Sequence, residues 1–267
     1  MNLQLNEKRA LITGSTQGIG AAIAQALAAE GAAVVIHGRK AAAAEKLRDK
    51  IIADGGRAAM ALGDLTQDSD AERVAQAALS AFGGIDILVN NAGAYPLIGW
   101  VESKASDWHQ TFETNVYSAA RITRLIVPQM RERAWGRIIF LASNAAAQPS
   151  PTAAAYSAAK AANLSQAVSL AKELAKTGIT VNAVSPGPVI TEGWNEFALD
   201  LGRQFGWGND LAIIKQKLLD GWFNAPNGRL GEPEDVANLV AYLASPLAVH
   251  LNGANFRVDG GLTPTTN

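Results

Sequence analysis

Short apolar runs that resemble β-strands alternate with helix-like segments along nearly the whole chain, and this alternation is the strongest constraint on the fold. Six such runs occupy residues 10–12, 34–36, 58–62, 85–89, 137–142 and 179–184, and a last short run precedes Asp259. Between them lie helical stripes such as Ile19, Ile23 and Leu27, which precede a stop at Gly31. Alternation of this kind predicts an α/β fold, a doubly wound parallel sheet of about seven strands flanked by helices.

The length and composition favour one compact domain over residues 1–267. A chain with 48% hydrophobic and 18% charged residues can bury a single large core, and no linker or repeat interrupts it. A net charge of −1 gives no electrostatic argument for nucleic acid or a membrane surface as a partner. The absence of cysteine excludes disulfides, thiolate metal sites and cysteine nucleophiles. Residues 1–9 lack the apolar segment of a signal peptide and no run is long enough to span a bilayer, so we expect a cytoplasmic protein.

A glycine-rich turn follows the first strand and opens the first helix. Gly14, Gly18 and Gly20 have the spacing G-x-x-x-G-x-G, at a place where backbone N–H groups of a helix start can meet a nucleotide pyrophosphate. Tight strand-to-helix packing is the alternative explanation. The position of the turn in the first unit of an alternating chain favours a dinucleotide site.

A serine, a tyrosine and a lysine form a second candidate site. Tyr156 and Lys160 are four residues apart in an alanine-rich segment, a spacing that puts both side chains on one helix face. A lysine cation close by favours the phenolate, so we expect a lowered pKa for Tyr156 and acid/base chemistry near neutral pH. Ser143, after a buried strand, could donate a hydrogen bond to the same reacting oxygen. Taken alone, the Tyr-x-x-x-Lys spacing is also typical of an ordinary amphipathic pair.

Taken together, the motifs resemble those of the short-chain dehydrogenase/reductase family over residues 5–262. The elements that carry the resemblance are Thr13-Gly14-x-x-x-Gly18-Ile19-Gly20, Asn90-Asn91-Ala92-Gly93, Asn115, Ser143, Tyr156-x-x-x-Lys160, Pro186-Gly187 and Val258-Asp259-Gly260-Gly261. The stretch 229–235 is most similar to the branch that contains 3-oxoacyl-carrier-protein reductases and related ketoreductases. The resemblance implies a carbonyl reductase that transfers a hydride between NADP(H) and a ketone or secondary alcohol.

The resemblance also implies roles for four catalytic residues. Tyr156 would be the acid/base, Lys160 would lower the pKa of Tyr156 and hold the nicotinamide ribose, and Ser143 would polarise the carbonyl. Asn115 would anchor a water that links Lys160 to solvent, or it is merely an asparagine that kinks a core helix. Two other functions remain open: an NAD-linked alcohol dehydrogenase that works oxidatively, and a non-catalytic NADP(H)-binding sensor. The complete catalytic set argues against the sensor.

The resemblance implies cofactor contacts at both ends of the crevice. Asn90, Ala92 and Gly93 would line the adenosine ribose and support the sheet edge, and Asp64 with Leu65 would lie against the adenine. Thr191 and the backbone of Val189 would hold the nicotinamide carboxamide. The full set of cofactor candidates is Gly14, Ser15, Thr16, Gln17, Gly18, Ile19, Gly20, Gly38, Arg39, Lys40, Asp64, Leu65, Asn91, Ala92, Gly93, Tyr156, Lys160, Pro186, Gly187, Val189 and Thr191.

The end of the second strand bears on the choice between NAD and NADP. An NAD enzyme is expected to have a carboxylate here, whereas this chain has Gly38 followed by Arg39 and Lys40. A guanidinium suits a 2′-phosphate, so NADP(H) is favoured. Against this, family members that use NADP often carry a basic residue in the glycine turn, where Thr16-Gln17 stand here. NAD(H) is therefore possible, and a solvated helix start is the alternative explanation of the two cations.

Residues 192–227, here called the lid region, are longer than the corresponding segment of compact family members, and in this family that segment covers the substrate. The region is rich in aromatic residues: Trp194, Phe197, Phe205, Trp207, Trp222 and Phe223. They could line a pocket for a bulky apolar substrate, or they could form the core of the lid region or a subunit contact. Tyr95, Gln148 and Trp194 are the candidates for substrate contact.

Three further sequence features bear on metal binding, on docking and on assembly. His37, His109 and His250 lack the spacing of metal ligands, so we expect no metal site and surface or structural roles for them. A basic cluster, Arg131, Arg133 and Arg137, could dock an acidic carrier protein or be a solvated helix end. The alanine-rich helix expected over residues 152–176 allows close approach of a second copy, so we expect a homotetramer or a dimer.

Overall fold

The computed structural model describes residues 1–265, except the side chain of Trp222. In this part of the chain seven strands form one parallel sheet in the order β3-β2-β1-β4-β5-β6-β7. The strands are β1 (Arg9–Ile12), β2 (Ala33–Gly38), β3 (Arg57–Leu62), β4 (Ile87–Asn90), β5 (Gly136–Leu141), β6 (Ile179–Pro186) and β7 (Asn255–Val258). The predicted fold class, a doubly wound α/β sheet of the Rossmann type, is confirmed.

Helices cover both faces of the sheet. They are α1 (Gly18–Ala29), α2 (Ala41–Ala53), α3 (Asp68–Ala81), α4 (Ala105–Phe112), α5 (Ser118–Glu132), α6 (Ala154–Glu173), α7 (Glu192–Gln204), α8 (Leu211–Leu218) and α9 (Pro233–Ala244). One buried apolar cluster lies between the sheet and α1, α2 and α9. A second lies between the opposite face and α3, α5 and α6. The five central strands are largely buried on both faces and read as mainly apolar runs for this reason, whereas the edge strands β3 and β7 are more exposed.

The alanine-rich helix is shorter than expected. The sequence predicts it over residues 152–176, whereas α6 begins at Ala154 and ends at Glu173. Lys176 and Gly178 have φ of 64° and 76°, which belong to left-handed rather than helical backbone. The chain therefore turns into β6 shortly after α6 ends.

The strand order places a crevice at the carboxyl ends of β1 and β4. The chain runs outward from β1 to β3 on one side and from β4 to β7 on the other, so the connections diverge between these two central strands. Ligands of open α/β sheets bind at such a point. The glycine turn follows β1, and Asn91 to Gly93 follow β4 directly, so two of the sequence motifs meet there.

The lid region forms a small unit after β6. Its buried residues Ala198, Leu201, Ile214 and Leu218 form a core of their own between α7 and α8. Asp210 caps α8 by accepting hydrogen bonds from the N–H groups of Ala212 (2.8 Å) and Ile213 (3.4 Å).

Across residues 1–265, no helix combines the length and the apolar character needed to cross a membrane.

Candidate active site

The glycine turn lies in close contact with the chain that leaves β4. A Cβ on Gly14 would lie 2.9 Å from Ala92 Cα, and a Cβ on Gly20 would lie 2.5 Å from Asn91 Nδ2. Gly14 also has φ of 62°, a conformation that side chains rarely adopt. The turn can reach this position only because its glycines leave room for the neighbouring backbone.

The start of α1 suits a pyrophosphate. Gln17, at the N-cap, makes no side-chain hydrogen bond to the first turn, and that turn carries no acidic residue. Its N–H groups therefore point toward the crevice without a side-chain acceptor, next to the positive end of the helix dipole. These are the conditions under which a helix start holds an anion.

Thr13 and Asn91 hold the turn from the β4 side. Thr13 Oγ1 accepts hydrogen bonds from the N–H groups of Asn91 and Ala92, both at 2.9 Å. Asn91 Nδ2 donates to the carbonyl oxygens of Thr13 (2.8 Å) and Gly14 (3.0 Å). The Asn91 amide group thus supports the turn. Asn90 is buried and donates to Thr123 Oγ1 (2.9 Å), so of its two expected roles the structure gives it the support of the sheet.

His37 and Ser15 hold the turn from the β2 side. Ser15 Oγ donates to Ile12 O (2.8 Å) and accepts from His37 N (3.0 Å), and Ser15 N donates to His37 O (2.9 Å). Ser15 is fully buried, and these bonds direct its polar groups toward the sheet. His37 Nδ1 accepts from Gly14 N at 2.9 Å. The sequence predicted a surface or structural role for His37. It did not predict this contact, because only the tertiary structure brings β2 beside the turn.

Arg39 and Asp64 mark the adenosine end of the crevice. Arg39 follows β2, and its guanidinium is 76% exposed and 3.8 Å from Asp64 Oδ2. Gly38 lies against Thr16, whose Cγ2 would be 2.5 Å from a Cβ at position 38. Lys40 is exposed at the start of α2, and Leu65 is buried. Arg39 is therefore free in large part to meet a charged group from solvent.

The catalytic candidates meet at the carboxyl end of β5. Lys160 Nζ donates a 2.7 Å hydrogen bond to Leu141 O and lies 5.7 Å from the centre of the Tyr156 ring. Ser143 follows this strand, and its Oγ accepts from Ala145 N at 3.1 Å. The predicted placement of the phenol and the ammonium on one helix face agrees with α6.

The expected lowering of the Tyr156 pKa is wrong, because the surrounding protein raises this pKa. Burial raises the pKa of Tyr156 to about 12, although its hydrogen bond with Ser143 acts in the opposite direction. Burial also lowers the pKa of Lys160 to about 8, because a cation without a carboxylate partner is disfavoured in the interior. The spacing predicted which groups are neighbours, but loss of water, and not the lysine, has the largest effect on the pKa of the phenol.

Asn115 lies in a π-helical turn, Glu113–Tyr117, between α4 and α5. Its Nδ2 donates to Thr111 O (2.9 Å) and Ala94 O (3.1 Å), and its Oδ1 accepts from Ala94 N (3.2 Å). A Cβ on Gly93 would lie 2.6 Å from Asn115 Oδ1 and 3.5 Å from Lys160 Nζ. Asn115 thus occupies a distorted helix, as the structural alternative predicted, and Gly93 lies close to both Asn115 and Lys160.

The nicotinamide candidates follow β6. Thr191 caps α7 by accepting from Trp194 N (3.1 Å), and its Cγ2 would be 3.2 Å from a Cβ on Gly18. Val189 is buried and bridges to Gly231. Gly187, next to Pro186, leaves room for Asp259, whose Cβ would be 2.9 Å from a Cβ on Gly187. The start of the lid region therefore touches the glycine turn across the crevice.

Tyr95 is a substrate candidate that contacts Tyr156. Its ring meets that of Tyr156 edge to face, with centres 4.6 Å apart, and burial raises its pKa. Gln148 is exposed in the loop that follows Ser143. Trp194 packs on the core of the lid region, with Lys215 Nζ 5.9 Å from its ring.

Most aromatic residues of the lid region belong to its own core. The partly buried side chains packed there include Phe197, Trp207 and Phe223, and Phe205 stacks on Trp207 at 5.2 Å. The side chain of Trp222 lies outside the described residues. Of the two interpretations, this packing favours a lid core over a pocket lining.

The basic cluster is not a cationic surface. Arg137 is 2% exposed, donates to the carbonyl oxygens of Gly136 (2.8 Å) and Gly178 (3.3 Å), and lies 4.5 Å from the centre of the Trp135 ring. Arg131 pairs with Glu173 at 3.0 Å.

Within residues 1–265, His, Asp and Glu side chains do not form a group of three that could hold a metal ion.

Comparison with known proteins agrees with the geometry. The family model described as short chain dehydrogenase matches residues 8–201. The chain is 39% identical over 267 residues to the uncharacterized oxidoreductase YvaG of Bacillus subtilis, covering 98% of both chains. It is 35% identical over 260 residues to the 3-oxoacyl-[acyl-carrier-protein] reductase FabG of Vibrio cholerae, covering 97% of this chain and 99% of that one.

Solved structures of relatives share the whole architecture. L-Sorbose reductase from Gluconobacter frateurii, complexed with NADPH and L-sorbose, superposes with a TM-score of 0.94 at 34% identity, covering 99% of this chain and 100% of the other. A 7α-hydroxysteroid dehydrogenase complexed with NADH and 7-oxo glycochenodeoxycholic acid gives 0.88 at 32% identity, covering 100% and 98%. The fold, the glycine turn and the Ser143, Tyr156 and Lys160 arrangement, together with these matches, establish that the chain belongs to the short-chain dehydrogenase/reductase family and is an NAD(P)-dependent oxidoreductase.

Proposed function

We propose that the protein reduces a ketone to a secondary alcohol with NADP(H), and that Tyr156 is the acid/base. The observation that carries the proposal is the meeting of Ser143, Tyr156 and Lys160 at the end of β5, beside the crevice that begins at the glycine turn. Bound NADP(H) would supply the hydride. The chain's own residues then have to bind the carbonyl oxygen and give it a proton.

The protonation states of the site suit reduction. With a pKa of about 12, Tyr156 carries its proton at neutral pH, the form needed to protonate an oxygen that gains negative charge. Ser143 hydrogen-bonds to the same phenol and can donate to the same oxygen. Lys160, with a pKa of about 8, is mostly an ammonium at pH 7 and adds positive charge below the phenol. An enzyme working in the oxidative direction would instead need the phenolate.

The glycine turn and Arg39 would hold the cofactor. The uncapped start of α1 fits the pyrophosphate, and Lys160, whose Nζ lies close to Gly93, would hold the nicotinamide ribose. Arg39 is exposed at the position where a 2′-phosphate would need a cation. The NADPH bound to L-sorbose reductase supports NADP(H), whereas the NADH bound to the hydroxysteroid dehydrogenase keeps NAD(H) as the second candidate.

We propose that the lid region covers the substrate, a small-molecule carbonyl compound. Most of its described aromatic residues, Trp194 among them, pack on its own core, so Tyr95 is the main support for a bulky apolar substrate, with Gln148 as a polar candidate. A screen of NADPH consumption over ketones, sugars, acyl thioesters, diketones and quinones tests the class. Absence of turnover with every class, together with tight NADPH binding, would favour the non-catalytic sensor.

We also propose a homotetramer built in part on α5 and α6. Gln166 on α6 donates to Val116 O (3.4 Å), which ties α6 to the π-helical turn. Within two residues of this bond, Tyr117 and Val168 are 44% and 39% exposed. Apolar side chains on adjacent helices suit a contact with a second copy.

Val168→Asp should lower the assembly state, because a carboxylate would be buried in the contact. Light scattering at micromolar concentration should give a tetramer mass for the wild type and a smaller one for the variant. Ile52→Asp, at a 50% exposed apolar residue on α2, is the control and should keep the wild-type mass. A monomeric wild type would refute the proposal.

Tyr156→Phe should lower kcat by about 100-fold or more on any substrate found in the screen, because the transferable proton is lost. The Kd for NADPH should stay close to that of the wild type. Tyr242→Phe, the same chemical change on α9, should leave kcat unaltered. Wild-type turnover by Tyr156→Phe would show that another group is the acid/base.

Lys160→Met should raise the free energy of unfolding at pH 7 by on the order of 1–2 kcal/mol, because an apolar side chain replaces a buried cation. The folded-state pKa is lowered from 10.5 to about 8, so between these values the unfolded wild type binds more protons and wild-type stability rises with pH. The advantage of Lys160→Met should therefore shrink from pH 8 upward. Urea unfolding on both sides of this range measures the change, and the exposed Lys172→Met on α6 is the control. A variant less stable than the wild type at pH 7 would contradict the argument.

Arg39→Ala should weaken NADPH binding by about tenfold to a hundredfold, because charge-assisted bonds to a 2′-phosphate are lost, and should leave NADH binding nearly unchanged. Arg131→Ala removes the same charge far from the crevice and should affect neither Kd. Gly38→Asp should then favour NADH, provided that Thr16→Ala makes room for the new Cβ. Cofactor titrations at fixed ionic strength give the Kd values of the wild type, of Arg39→Ala, of Arg131→Ala and of the protein that carries Gly38→Asp with Thr16→Ala. Tighter binding of NADH than NADPH by the wild type would overturn the NADP preference.

A further inference from the structure

His37 connects three neighbouring strand ends at the crevice. It is the fifth residue of β2, its Nδ1 accepts from Gly14 N (2.9 Å) after β1, and its Nε2 is 3.2 Å from Gly63 O after β3. Its backbone is bonded to Ser15 in both directions, by its N–H at 3.0 Å and its carbonyl oxygen at 2.9 Å. The residue is 4% exposed, so these partners replace water.

The contacts of the imidazole fix its tautomer. The Gly14 N–H can only donate, so Nδ1 must be without a proton. The proton of the neutral ring is then on Nε2, which donates to Gly63 O. Burial lowers the pKa of His37 to about 4, so the ring is neutral at pH 7 and its Nδ1 remains an acceptor. The charged groups that act on it are Asp64 and Arg39.

The bond to Gly14 completes a clamp around the glycine turn. On the β4 side, Asn91 donates to the carbonyl oxygens of Thr13 and Gly14. On the β2 side, His37 accepts from the N–H of the same glycine. Gly14 has φ of 62°, so its peptide orientation is set by partners rather than by an ordinary backbone preference. Loss of either partner leaves a part-buried polar group of Gly14 without its protein partner.

We propose that His37, as its Nε2–H tautomer, is a positioning residue for the dinucleotide, because its Nδ1 fixes the Gly14 peptide and with it the shape of the turn that receives the pyrophosphate. The proposal rests on dinucleotide binding by the glycine turn and is independent of the NADP preference and of the acid/base role of Tyr156. His37 would act on the binding of the pyrophosphate, which NADPH and NADH have in common. Arg39, by contrast, would act on the 2′-phosphate alone.

Two amide variants separate the two nitrogens of the ring. In His37→Asn the side-chain oxygen is as many bonds from Cα as Nδ1 is, so the variant keeps the acceptor for Gly14 and loses the donor to Gly63. In His37→Gln the amide nitrogen corresponds to Nε2, so the variant keeps the donor and loses the acceptor. The pair differs by one methylene group, which makes each variant the control of the other.

Titration of each variant with NADPH and with NADH is the first test. His37→Gln should raise the Kd of both cofactors by about tenfold, because the binding energy must also reorder the turn, whereas His37→Asn should stay within about threefold of the wild type. Equal weakening by the two variants would mean that the ring only fills space, and it would overturn the proposal. If the wild type binds NADH alone, the NADP preference fails and the comparison is made with NADH.

Nitrogen-15 NMR of the uniformly labelled protein is the second test, and its first part needs only the wild type. His37 should show an unprotonated Nδ1 and a protonated Nε2 at pH 7, and the Gly14 amide should be protected from hydrogen exchange. In His37→Gln that protection should fall, while protection of amides in the core of β5 should not. A protonated Nδ1 in the wild type would refute the proposal whatever the titrations show.

Discussion

The active site depends on a close approach between two backbone segments, the glycine turn after β1 and the chain that leaves β4. Gly14 and Gly20 lie so near Ala92 and Asn91 that a methyl group at either glycine would overlap its neighbour. This contact brings the uncapped start of α1 beside Gly93, and Gly93 in turn borders Lys160. A dinucleotide bound as proposed would extend from the helix start toward Lys160. Side chains at these glycines would separate the two halves of the site.

The sequence predicted the fold and singled out Ser143, Tyr156 and Lys160, which the structure brings together, because both depend on local pattern. Strand–helix alternation indicated the parallel sheet, and glycine spacing indicated the turn. What it did not predict depends on residues far apart in the chain. Arg137 reads as a surface charge next to Arg131 and Arg133, yet it is 2% exposed, with backbone carbonyls and Trp135 as its partners. The aromatic residues of the lid region could not be assigned either, because composition does not distinguish a core from a pocket lining.

Electrostatics was the least predictable part of the site. The four-residue spacing of Tyr156 and Lys160 correctly indicates that they are neighbours, but a lowered Tyr156 pKa does not follow from proximity. Both groups have lost water, and this loss raises the pKa of the phenol and lowers that of the ammonium. Each effect favours the neutral form of its group. The site therefore holds two poorly solvated groups whose charges would be stabilised by a bound ligand more than by the protein itself.

The π-helical turn at Glu113–Tyr117 has a consequence for how the chain length can vary. Such a turn holds one residue more than the α-helical path between the same two points. Removing one residue there would leave a regular α-helical path from α4 to α5, with both flanking helices in place. The apolar stripe of α5 would then stay on the sheet, but Asn115 would lose the widened turn from which it bonds to Ala94. A one-residue gap in this segment of a relative should therefore coincide with a change around Asn115 rather than with a change in the packing of α5.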